Sequence, residues 1–204
     1  MRLMGSPRVE ESIHVELETA RHLWLIVFVL GLIGLSIVWI TAPAERLLGG
    51  SAEAVRGALH GTAAGLFMVT ATIGLFQGYR LFAGQARNIA ELQVGSVVNA
   101  ALAFFTILLG NWVYIPYRAS GGPRSYFLEH APEVHKVFFE FKEFAALFTL
   151  PCAVAASFIL VYYAGAAIRR KDLSTLVAVL LALVFFYFLV AFGLGAAITK
   201  LKSV

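Results

Sequence analysis

The sequence predicts an all-α integral membrane protein with five transmembrane helices, and three observations carry that reading. Of its 204 residues, 60% are hydrophobic and 14% charged, against roughly 45–50% and about 25% in soluble domains. Five stretches hold no charged residue: 22–44, 57–79, 92–117, 144–168 and 173–199. Each exceeds the ~20 residues with which an α-helix crosses about 30 Å of hydrocarbon. Nothing alternates apolar with polar residues over the ~10 positions of a membrane β-strand.

Taken in order, residues 1–21 form an N-terminal amphipathic segment, in which Pro7 opens VEESIHVELETARH on the membrane surface. Glu10, Glu11, Glu16 and Glu18 precede the first apolar run. A run of that length with acidic flanks reads as a retained helix and not as a cleaved signal peptide. The second span starts at His60 and carries Gly61-x-x-x-Gly65 and Gly74-x-x-x-Gly78, spacings that let another backbone or a flat ligand approach closely. The third ends in NWVYIPYR, where Trp112, Tyr114 and Tyr117 fit an aromatic interface belt or, with Asn111, a quinone head-group pocket.

Residues 118–143 read as an amphipathic extramembrane segment. Begun at Pro132, a helix would put Val134, Val137, Phe138 and Phe141 on one face and Lys136, Glu140 and Glu143 on the other. His135 and Phe139 fall on the border. The fourth span contains Pro151, expected to kink it, and Cys152, the single cysteine, which excludes a disulfide framework.

Sliding the chain by 81 residues aligns Ala64–Phe105 with Ala145–Phe186 without a gap, at twelve identities in forty-two pairs. A duplicated hairpin would make helices 2–5 a four-helix bundle with helix 1 peripheral. The short loop holding Arg169, Arg170 and Lys171, together with Arg80 and Arg87, puts the N-terminus in the cytoplasm, in a bacterial inner membrane.

The net charge of +4 does not point to nucleic acid, because the cations are scattered and form no basic face. The chain has no nucleotide-binding glycine loop, no HExxH, no CxxC and no GxSxG. Histidine is the remaining chemistry. His60, His130 and His135 share one membrane side, where neutral imidazoles could hold a haem iron; His60 is followed by the small-residue surface of Gly61 and Gly65.

This motif-poor helical architecture over residues 58–199, with histidines at one face, resembles the membrane-anchor b-type cytochrome subunits of quinone-linked respiratory complexes. The resemblance implies two histidines from different helices on one iron: His60, with His135 or else His130. It further implies haem b as cofactor, electron exchange with quinone or a partner redox protein, and partner subunits or a homo-oligomer within the lipid bilayer. The residues leave three other readings open. One is a non-catalytic membrane subunit or assembly factor. Another is a small channel or transporter lined by Asn99, Gln77 and threonines, and the last is a metal-dependent membrane enzyme using His130, His135, Glu140 and Glu143.

Overall fold

The computed structural model describes residues 51–86 and 88–201, and these are all-helical. The first predicted span, 22–44, and the amphipathic segment 1–21 lie outside the described residues. Four long helices are apolar and long enough to cross a membrane. They are α1 (Ala52–Phe82), α2 (Ile89–Arg118), Val134–Tyr163 and Lys171–Leu201. The third of these opens as a π-helical turn (Val134–Phe139) that runs on into α4 (Glu140–Tyr163). A short helix, α3 (Pro123–His130), precedes it, and α5 (Gly165–Arg169) leads into α6 (Lys171–Leu201).

Local chemistry sets the ends. The Ser51 hydroxyl accepts from Ala54 N–H at 3.2 Å and caps α1, and the Asn88 side chain accepts from Ala90 N–H at 3.0 Å and caps α2. Pro123 opens α3, where its missing N–H costs nothing. Pro151 does not break α4, which stays helical through it to Tyr163, where Ala164 at φ 40° turns the chain.

Each long helix packs on two of the others: α1 on α2 and α6, and α4 on α2 and α6. Shifted by 81 residues, the bounds of α1 and α2 fall within two residues of those of Val134–Tyr163 and Lys171–Leu201. Both hairpins also turn through a positive φ, at Gly84 and at Ala164.

Lipid tails are as apolar as leucine, so close packing and interhelical hydrogen bonds hold such helices together. Small residues bring the backbones near. A Cβ on Gly74 would stand 2.6 Å from Asn99 Nδ2, and one on Gly78 would stand 3.4 Å from the Ala178 backbone. Gln93 Nε2 donates to the Leu160 carbonyl at 3.0 Å and ties α2 to α4. Phe67 and Phe188 meet at 4.1 Å between ring centroids. The large exposed side chains, such as Leu66, Val69, Ile73 and Phe76 on α1, are apolar and suit lipid.

The fourth span differs from the expected 144–168, because the helix enters ten residues earlier and ends at Tyr163. Val137, Phe138 and Phe141 are exposed, while His135 and Phe139, assigned to a border, are buried. In the π turn the Glu140 N–H reaches the His135 carbonyl five residues back. The wider turn rolls His135 and Phe139 under α2 and leaves the apolar residues of this stretch facing out.

The pairing of helices puts α3 and the chain near residue 201 at one end, and the Phe82–Ile89 and Tyr163–Lys171 connections at the other. In a Cys152→Ser background, single cysteines at Ser125 and at Lys171 should react with a membrane-impermeant maleimide from opposite sides of sealed vesicles. Labelling of both from one side would contradict this helix arrangement.

Candidate functional site

The end of the helices that carries α3 holds a cluster of polar and aromatic side chains. Helix register builds it. Gln93 on α2 meets Leu160 on α4, and Tyr117 meets His135, so the two helices run antiparallel and Lys142 comes level with Gly110. On the other side, Phe67 meets Phe188 and Gly74 meets Leu181, which brings His60 level with Gly195. One layer therefore contains His60 from α1, Gly110 from α2, Lys142 from α4 and Gly195 from α6.

The contacts agree. A Cβ on Gly110 would stand 3.1 Å from His60 Cε1, so the imidazole lies flush against α2. A Cβ on Gly195 would stand 3.6 Å from Lys142 Cδ, so the lysine stem lies along α6. The Lys142 ammonium sits 4.2 Å from the Phe139 ring centroid and within electrostatic range of His60.

Three polar atoms of this neighbourhood have no hydrogen-bond partner among the described residues, and of these the Thr106 hydroxyl is fully buried while His60 and Lys142 are half-buried. His60 Nδ1 lies 3.1 Å from the Thr106 carbonyl, and a carbonyl only accepts, so Nδ1 carries the proton. The other nitrogen, Nε2, is then a bare acceptor. The hydroxyl of the same Thr106 is buried without a partner. Lys142 Nζ makes a ring contact but no hydrogen bond among the described residues. Unpaired polar groups in a membrane interior are costly and point to a ligand, an ion or water. Gly61 and Gly65, on the flank of α1 beside His60, have nothing within 4 Å of a would-be Cβ. They pack no other described helix and, among the described residues, leave a shallow notch on the flank of α1 beside the imidazole.

One layer further out, the cluster is closed. Tyr117 is 1% exposed and stacks on Phe139 at 4.4 Å, with interplanar angle 8°. Tyr117 was expected in an interface belt; instead it joins Phe127, Phe139 and Ile198 in a small core. His135, 4% exposed, lies 2.9 Å from Tyr117 Oη through Nδ1, and its Nε2 accepts from Arg124 Nε at 3.2 Å.

These distances bear on the haem pairing. Both nitrogens of His135 are occupied by protein groups. Its partner Tyr117 is seven residues beyond Gly110, about 10 Å along α2, whereas two axial nitrogens on one metal stand about 4 Å apart. As placed, His60 and His135 do not fit as the two axial ligands of one haem. His130 is exposed on α3, stacked on Tyr126 at 4.6 Å with Nδ1 against the Tyr126 carbonyl. His60 and His130 each keep one nitrogen on a backbone carbonyl and the other without a partner among the described residues, but only His60 does so between helices of the long-helix packing. No group of three or more potential metal ligands occurs among the described residues, and His130, His135, Glu140 and Glu143 do not form one.

Lys142 and Arg124 were not among the residues the sequence singled out. The available signal for Lys142 was FFEFKEF itself. By spacing alone Lys142 lies four residues after the exposed Phe138 and shares its face, so the run marks a lysine among lipid-suited phenylalanines but does not turn it toward other helices. No protein-family model, curated protein or solved structure is significantly similar to the chain.

Proposed function

We propose that the chain is a quinone-binding membrane subunit of a larger electron-transfer assembly, and that the quinone head group sits in the layer of His60, Thr106 and Lys142. The convergence from three helices of His60 Nε2, the Thr106 hydroxyl and Lys142 Nζ, each without a hydrogen-bond partner among the described residues, carries this reading. A quinone presents carbonyl oxygens that need donors, and the Lys142 ammonium and the Thr106 hydroxyl supply them. A quinol presents hydroxyl groups that need an acceptor, and His60 Nε2 supplies it. The notch at Gly61 and Gly65 admits a lipid-borne head group sideways from the bilayer. Helices α1, α2, α4 and α6 form the four-helix bundle, with the first span at its outside. The membrane is a bacterial inner membrane, with the N-terminus cytoplasmic and with partner subunits supplying the remaining redox centres.

Purified protein in nanodiscs should bind a short-chain quinone saturably at one site per chain, measured by equilibrium dialysis. Absence of saturable binding in the intact protein would end this reading.

A second reading rests on the orientation of His60, whose Nδ1–H···O=C contact leaves Nε2 as a metal ligand would need it. In that reading His60 would hold the iron of haem b through Nε2, and the haem would supply one-electron chemistry. A reduced-minus-oxidised spectrum of the purified protein separates the two: sharp haem bands that vanish in His60→Ala favour haem, and a featureless spectrum with intact quinone binding favours the first.

A further inference from the structure

We infer that His135 is a proton-operated latch that holds α3 closed over the end of the bundle directly above the His60–Lys142 layer. The placement comes from four observations. His135 is buried on a π-helical turn, a backbone form that is rare and recurs at functional sites. It joins all three elements of this end: its own helix, Tyr117 of α2 and Arg124 of α3. Arg124 Nε donates to His135 Nε2 and so ties α3 to the π turn, while Phe127 of α3 plugs the apolar cluster at 1% exposure. Beneath that cluster, the Phe139 ring lies against Lys142 Nζ. The α3 helix therefore covers the route by which the layer would meet the aqueous face.

The sign of the switch follows from donor and acceptor roles. Guanidinium nitrogens only donate, so Arg124 Nε requires a lone pair on His135 Nε2. Nδ1 then carries the proton and donates to Tyr117 Oη, and the ring is neutral. An imidazolium has no lone pair, so protonation replaces the Arg124 bond with two N–H groups and two cations face to face. The other charged groups around the ring are Arg118 from α2, and Lys136 and Glu140 from its own helix, while α6 meets the cluster through Ile198. Three cations, counting Arg124, stand against one carboxylate and cannot hold the imidazolium in place. The closed state binds one proton fewer than the open state. Its advantage is full at high pH and falls as pH drops through the ordinary histidine value of about 6.5, by up to tenfold per unit.

This regulation concerns the site proposed above, but its test needs no quinone. Amide exchange of residues 123–130 in nanodiscs, corrected for intrinsic rates, should rise at least tenfold between about pH 7.5 and about pH 5. His135→Gln keeps a neutral acceptor and donor at all pH, and its exchange should not change. Arg124→Gln should leave α3 open at both values. Constant protection in the natural protein, or the same pH response in His135→Gln, would overturn the latch. Either result leaves the quinone reading untouched, and failed quinone binding leaves the latch untouched.

Discussion

Gly74→Leu should abolish stable folding. A first side-chain carbon at this position already meets Asn99 Nδ2 at 2.6 Å, and Leu181 Cδ2 lies at 3.8 Å behind it. Asn99 is 1% exposed and cannot swing into water. Overpacking of this kind costs about 1–3 kcal/mol when neighbours can yield, and here three helices would have to separate. The measurement is thermal unfolding in detergent, followed by helical circular dichroism. Gly65→Leu is the matched control: nothing stands within 4 Å of its Cβ, so the melting temperature should stay that of the natural protein. Its effect should fall on ligand entry through the notch. Equal destabilisation by both substitutions would contradict the packing described for α1.

Lys142→Met should remove quinone binding while leaving the fold intact. Methionine preserves an unbranched apolar stem along Gly195 and under Phe139, so packing changes little. The ammonium donor is lost. A hydrogen bond to a charged group is worth about 1.5–3 kcal/mol, which corresponds to a weakening of at least about tenfold. Thr106→Val removes a neutral donor of the same neighbourhood and should weaken binding by less. If Lys142→Met bound quinone like the natural protein, the ammonium would face bulk water and the layer would not be a ligand site.

Much of the architecture was legible in composition. The charge-free runs 57–79, 92–117 and 173–199 each fall inside one long helix, because charge is excluded wherever a helix faces lipid. The fourth run failed as a boundary for the same physical reason applied too broadly. Glu140, Lys142 and Glu143 end the charge-free count, yet the helix runs on through them to Val134, with Glu140 exposed and the Lys142 stem laid along α6. The outward phenylalanines were the better guide, and the π turn that sets their phase leaves no mark in residue spacing. The offset of 81 residues that aligns the sequence with itself also aligns the helix bounds to within two residues.

The site was legible in part. His60 stood out because it opens a span beside glycines. Its partners, Gly110, Thr106 and Lys142, come from helices 46 or more positions away in sequence, and no local pattern specifies such a meeting. His135 illustrates the converse. Its position near a membrane face suggested a ligand, whereas Tyr117 and Arg124 take both of its nitrogens. The difference lies in side chains that the sequence could place on a helix but not against each other.

Photo-cross-linking with an azido-quinone in nanodiscs, followed by peptide mapping, tests the quinone site most directly. Label should concentrate on α1 around His60–Ala64, on α2 around Thr106–Gly110 and on α4 around Lys142, should be displaced by excess unlabelled quinone, and should be lost in Lys142→Met. Saturable label at the opposite end, around Gln77 and Glu91, or label spread along the lipid-facing phenylalanines without displacement, would contradict it.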